Sequence, residues 1–153
     1  MDSTLILTKI AKYRLSDNKT LLELRRVSRK YQENKDILFG QLVLNRKQSA
    51  FLYFSKDPFA QYVISRVHAL DLWGCTGITD VSQLGGVHTL NLNGCTGITD
   101  VSQLGGVHTL YLNGCTGITD VSQLGGVHTL NLWGCTGITD VSMLEGKVKK
   151  LYR

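Results

Sequence analysis

From Val67 to the end of the chain the apolar positions recur every twenty residues. Four units occupy residues 67–86, 87–106, 107–126 and 127–146, and a fifth begins at "VKKLYR" after one inserted residue, Lys147. Within a unit the skeleton reads V-x-x-L-x-L-x-x-C-x-x-I, as at Val87, Leu90, Leu92, Cys95 and Ile98, with Val101 and Leu104 following. One such unit cannot bury its own apolar face, whereas stacked copies can, so the period predicts a solenoid of coils. Two leucines spaced by two predict a short strand with one buried side. Gly94 and Gly97 flank Cys95 where the chain leaves that strand, and both are expected to serve the turn through their conformational freedom. Thr99 or Asp100 is placed to cap the next turn with a side-chain oxygen. About five residues then remain before the Gly-Gly pair, too few for an α-helix with two connections, so a 3₁₀ or irregular turn is expected on the outer side. Neighbouring strands ~4.8 Å apart would form a parallel sheet over a continuous leucine core.

The first 66 residues follow a different rhythm. Ile6, Ile10 and Tyr13 make a helical stripe, and "TLLE" at residues 20–23 is a capping box that opens a second helix. That helix would turn Leu21, Leu24, Val27 and Tyr31 inward and Arg25, Arg26, Arg29 and Lys30 mostly outward. "DP" at 57–58 supplies an N-cap and a proline at the first helical position, with Phe59, Tyr62 and Val63 on one apolar face. This last helix runs into the first unit and is expected to cover the open end of its core. Residues 37–54 are strongly apolar, but their pattern assigns no element type. The expected organisation is a helical segment over 1–45, a linker and cap helix over 46–66, and the repeats over 67–153, an α+β chain overall.

The units are nearly identical, so their few differences carry information. Residues 87–106 and 107–126 differ only at Asn91 and Tyr111. The first unit differs from the second at Ala69, Asp71 and Trp73, and the fourth introduces Trp133 before its ending diverges at Met143 and Glu145. The changes Ala69, Asp71, Trp73, Tyr111 and Trp133 all fall at positions 3, 5 or 7 of the unit. Random placement would achieve this on the order of once in ten thousand trials, so the clustering has a cause. These positions alternate with the leucines at 4 and 6, and are expected to share the solvent side of the strand. Asp71, Trp73, Asn91, Asn93, Tyr111, Asn113, Asn131 and Trp133 are therefore candidate binding residues, with exposed aromatics as anchors and amides between them.

Charge divides the chain at the same place. Residues 1–66 hold thirteen Lys and Arg against six Asp and Glu, and residues 67–153 hold four against six. A basic cluster such as "RRVSRK" suits an exposed helix face; without interleaved aromatics, nucleic acid is not the expected partner. All four cysteines lie in the repeats, twenty residues apart, without the paired spacing of zinc motifs, and are expected as buried free thiols. His68, His88, His108 and His128 form a second ladder, expected as exposed turn residues of slightly reduced basicity. Asp80, Asp100, Asp120 and Asp140 form a third, read as caps rather than calcium ligands. No nucleophile–base pair, phosphate loop or carboxylate pair stands out, so neither an enzyme nor a cofactor is expected. The start carries no secretory pattern, and no stretch approaches the ~20 apolar residues of a membrane span, so a cytoplasmic protein is expected.

The run "LNLNGCTGITD" at residues 90–100 resembles the cysteine-containing type of leucine-rich repeat, and the resemblance covers residues 67 to about 152. The near-identical short units are similar to those of amoeba-infecting giant DNA viruses, which would place the protein in a host cytosol. The resemblance implies a right-handed solenoid with a parallel sheet on its concave face, used to bind a target protein. "LLELRRVSRKY" at residues 21–31 resembles an F-box, the helical motif that docks on a Skp-type adaptor of cullin–RING ubiquitin ligases. That resemblance implies adaptor contacts from Ile6, Ile10, Leu21, Leu22, Leu24 and Val27. Together the two imply a substrate receptor of a ubiquitin ligase; the alternative is a scaffold or decoy with no ligase role.

Overall fold

A computed structural model describes residues 43–44, 46–55 and 58–153. The helical segment expected over residues 1–45, with Ile6, Ile10, Leu21, Leu22, Leu24 and Val27, lies outside the described residues apart from Val43 and Leu44. The described chain runs β1 (Val43–Leu44), α1 (Arg46–Phe54), α2 (Pro58–Ile64), then β2 (Ala69–Asp71), β3 (Thr89–Asn91), β4 (Thr109–Tyr111), β5 (Thr129–Asn131) and β6 (Lys150–Tyr152). Short 3₁₀ helices at Ser82–Leu84, Ser102–Gly106, Ser122–Gly126 and Ser142–Leu144 separate the strands from β2 onward.

The six strands form one parallel sheet in sequence order. Register follows the repeat: Leu70, Leu90 and Leu110 align, and Leu110 aligns with Leu130. The inserted Lys147 delays the last strand by one residue, so Leu130 meets Leu151. Each strand from β2 to β5 is only three residues, with a buried leucine between two half-buried neighbours. A parallel sheet built this way has one lined side, and the second leucine (Leu72, Leu92, Leu112 or Leu132) completes it just beyond the strand.

The core is one continuous column. Val87, Leu90, Leu92, Cys95, Ile98, Val101 and Leu104 are all buried, and their equivalents in the next coil repeat the arrangement. Fully burying each leucine contributes roughly 1.5–3 kcal/mol, and no coil could do so without a neighbour. The expected 3₁₀ turn is present, and it is entered through the aspartates. Asp80, Asp100, Asp120 and Asp140 each accept a bond through Oδ1 from the N–H of the serine two residues on, at 2.8–2.9 Å. Those backbone donors hold all four carboxyls below the usual aspartate range.

The two glycines beside each cysteine serve different ends. Gly94 has φ of +68°, as expected of a residue that reverses the chain. Gly97 does not have a positive φ; instead, a Cβ there would lie 2.7 Å from the Ile78 carbonyl oxygen. Close approach of coils, rather than backbone freedom, excludes a side chain at Gly97.

Residues 46–66, expected as a linker and one helix, form two helices that join the same core. Leu52 from α1 and Ala60, Val63 and Ile64 from α2 are fully buried with Val67 and Leu70 of the first coil. The buried face of α2 is thus Ala60, Val63 and Ile64, with Tyr62 half-buried; the Phe59 side chain lies outside the described residues. Gln61 fastens the end of α1, its Nε2 donating to the carbonyls of Leu52, Tyr53 and Ser55 at 3.2, 3.1 and 2.7 Å. The Tyr53 hydroxyl donates to the Asp80 carbonyl, tying α1 to the first outer turn. The Asp71 N–H donates to the buried Ser49 hydroxyl at 3.1 Å, a second tie between α1 and the first repeat coil.

Candidate binding face

The varied positions fall into two rows on the open side of the sheet. Position 5 closes each strand and aligns Asp71, Asn91, Tyr111 and Asn131. Position 7 lies past the strand, yet its carbonyls continue the ladder. Gly74 donates to Asn93, Gly94 to Asn113 and Gly114 to Trp133, at 2.7–2.8 Å. Trp73, Asn93, Asn113 and Trp133 therefore form a second row. At ~4.8 Å per strand, three steps set the two tryptophans roughly 14 Å apart.

Exposure separates anchors from spacers. Trp73 is 56% exposed and Trp133 is 68% exposed, whereas Asn93, Asn113 and Tyr111 are half-buried. The Arg46 guanidinium of α1 lies 5.2 Å from the Trp73 ring, a cation–π contact that partly orders it. Arg46 was not among the candidates from sequence, since no pattern links α1 to the first coil. Tyr152 was also missed. It aligns with Asn131 and is 52% exposed, so the position-5 row ends on a second tyrosine. Counting past Lys147 would have revealed it, because "VKKLY" places Tyr152 at position 5 of the fifth unit.

The amides between the aromatics have a structural task of their own. Asp71, Asn91 and Asn131 each accept through Oδ1 from the N–H two residues on, at Trp73, Asn93 and Trp133, with distances of 3.1, 3.1 and 3.0 Å. Tyr111 cannot make this bond. The Asn113 N–H instead donates to Asn93 Oδ1 of the coil before, at 2.8 Å. That substitution leaves a mark one coil further on. The Trp133 N–H is already held by Asn131, and Asn113 Oδ1 is buried with no hydrogen-bond partner. The side-chain oxygens expected to greet a partner are thus largely engaged within the fold, and the Nδ2 groups carry what polarity remains.

The cysteines are free, as expected, and three are buried. Cys95, Cys115 and Cys135 each donate their thiol to a carbonyl of the preceding coil, at Leu72, Leu92 and Leu112. Burial pushes Cys95 up to about 11 and Cys115 up to about 12, and raises Cys135, so none is a ready nucleophile at neutral pH. Cys75 departs from the expectation: it has no repeat coil before it and is only half-buried. The four histidine rings stack with centroids 4.5 Å apart and planes within 12–17°. Parallel rings do not aim their nitrogens at a common point, and among the described residues no group of three or more His, Cys, Asp or Glu is arranged to hold a metal. No described helix is long and apolar enough to cross a membrane. In comparisons with known proteins, the chain matches no family model, no curated protein and no solved structure.

Proposed function

We propose that the protein is a protein-recognition module that acts in the cytoplasm by binding rather than catalysis. The observation that carries this reading is the pair Trp73 and Trp133, more than half exposed on a backbone held rigid by interstrand bonds. Neither ring is needed to fill the core, because the equivalent position is Asn in the coils between them. Rigid, exposed tryptophans cost little entropy when a partner covers them, which suits them as anchors. The parallel sheet and cysteine-marked coils support the leucine-rich-repeat likeness, with the binding face on the concave side of a right-handed solenoid.

Within that reading, the F-box likeness of "LLELRRVSRKY" favours a substrate receptor of a cullin–RING ubiquitin ligase. The repeats would hold the target while the N-terminal segment docks a Skp-type adaptor. A second reading, a scaffold or decoy without ligase activity, is favoured by two sequence facts. No Leu-Pro opens the segment, and Ala11 stands where that family commonly has a bulky aromatic.

Affinity capture with three forms of the chain separates these readings: the full protein, a W73A/W133A variant, and a form lacking residues 1–40 that keeps β1. The receptor reading expects adaptor and cullin to vanish with the deletion while the target stays, and the target to vanish with the double variant. Retention of the target with no adaptor on the full chain selects the scaffold. Unchanged target binding by W73A/W133A would remove the recognition face itself.

A further inference from the structure

The imidazole ladder is unused by the binding face, and it does not end with histidine. His108 donates its backbone N–H to the His88 carbonyl, His128 to His108, and Lys149 to His128, at 3.0–3.1 Å. Lys149 is therefore the next rung of the row His68, His88, His108, His128, while Lys150 continues the adjoining row of Thr89, Thr109 and Thr129. Nδ1 of His88, His108 and His128 lies 3.3, 3.2 and 3.1 Å from Oγ1 of the threonine that follows each. That contact fixes each ring with Nδ1 toward its own strand, leaving the Nε2 edge turned away. His68 is followed by Ala69 and lacks the restraint. The result is a comb of like-oriented nitrogens on rings that are exposed at His68, His88 and His108 and half-buried at His128.

We propose that this histidine–lysine row is a binding edge for a linear, phosphate-bearing polyanion, specifically an unbranched polyphosphate chain, engaged when the imidazoles are protonated. The row is one-dimensional. Its five rungs span roughly 19 Å at the spacing of parallel strands, so a chain of anions matches it where a single anion would meet only one or two rungs. Among the described residues, the charges that act on His88 and His128 are all of one sign. His88 feels burial first and then His68 and His108; His128 feels burial first and then His108, Lys149 and Lys150; no described carboxylate acts on either. Both rings are consequently held below ordinary histidine basicity. A polyanion laid along the row would relieve that repulsion, and by reciprocity protonation would tighten its binding. The aromatic side chains on which bases would stack lie on positions 5 and 7, not beside this edge, which favours phosphate alone over nucleic acid.

The test is calorimetric titration of the full chain with medium-length inorganic polyphosphate at constant ionic strength, at about pH 5.5 and about pH 7.5. Internal phosphates of the probe and every Lys and Arg of the protein keep their charge across this range. The basic residues 1–66 therefore add the same background at both values. The expected result is binding at least ~10-fold tighter at the lower pH, shrinking to within ~2-fold in an H88Q/H108Q variant. Equal affinity at the two values, or an undiminished pH effect in the variant, overturns the proposal. So does displacement by monophosphate at matched phosphate concentration, or tighter binding of single-stranded DNA of matched charge. A measurement on the unaltered chain guards against a variant that fails to fold: ring-proton NMR titration should show the histidines becoming more basic on adding polyphosphate. Titration curves that do not move would overturn the proposal equally.

Discussion

Tyr111 occupies a place where the other three full coils carry Asp or Asn, and it forfeits a hydrogen bond to be there. The Asn113 N–H must borrow Asn93 from the preceding coil, and Asn113 Oδ1 is left unpaired. Replacing Tyr111 by Asn should restore the local pattern, so urea unfolding should show stability unchanged or higher by up to about 1 kcal/mol. A loss of that size would mean that the ring packs into the fold and is not there for a partner. The two tryptophans differ in the same sense. Trp133→Ala should leave the melting temperature nearly unaltered, whereas Trp73→Ala should forfeit the Arg46 contact, worth about 0.5–1 kcal/mol at an exposed site. Thiol labelling gives an independent check of the core. Cys75, half-buried, should react first in the native protein, and Cys95, Cys115 and Cys135 only on unfolding. Rapid native labelling of all four would mean that the coils open.

At the scale of the element, glycine shows that one coil carries two distinct constraints. A Cβ on Gly105 would lie 2.4 Å from the Gln123 carbonyl oxygen, whereas one on Gly114 meets nothing within 4 Å but requires a φ of +69°. Gly114→Ala should therefore cost about 1–2 kcal/mol through backbone strain alone. Gly105→Ala should cost more, because neighbouring coils must part; equal melting temperatures for the two variants would contradict this. The constraint at Gly114 is legible in sequence, since Gly after a strand leucine pair reads as a turn. The constraint at Gly105 is not, because it depends on the backbone of the next coil. The same divide explains the rest. Strand, 3₁₀ turn and aspartate cap follow from periodicity within residues 67–146. The pairing of β1 with β2, the role of Ser49 and the seat of Arg46 over Trp73 arise from contacts without a period, and the apolar run 37–54 gave no hint of them. Positions 5 and 7 were legible as a site because they vary. Their engagement in backbone bonds was not, since an Asn that turns a chain and an Asn that greets a partner look alike in a sequence.

For the whole molecule, the ladders of titratable groups act together. The four aspartates, held low by serine N–H donors, favour the folded state above the ordinary carboxylate range, and that advantage is lost as pH falls through their folded values. His88 and His128 are also lowered, so the unfolded chain binds their protons more readily and stability declines as pH drops below about 6.5. Cys95 and Cys115 are raised, so stability declines again as pH climbs past the ordinary thiol value. Urea midpoints across pH should therefore peak near neutrality and fall toward acid in two stages; a gain in stability between about pH 7.5 and 5.5 would contradict the histidine assignment. Translational symmetry has a further consequence. Because residues 87–106 and 107–126 present the same edges to their neighbours, excising 107–126 should leave ends that still mate. The shortened protein would bring Trp73 and Trp133 from roughly 14 Å to roughly 10 Å, one strand closer. The coil thus works as a unit of length, and inserting or deleting whole coils retunes the gauge of the binding face without redesigning its surface. A partner that spans both tryptophans would measure that change as a loss of affinity beyond that of Tyr111→Asn alone, in a protein whose folding is intact.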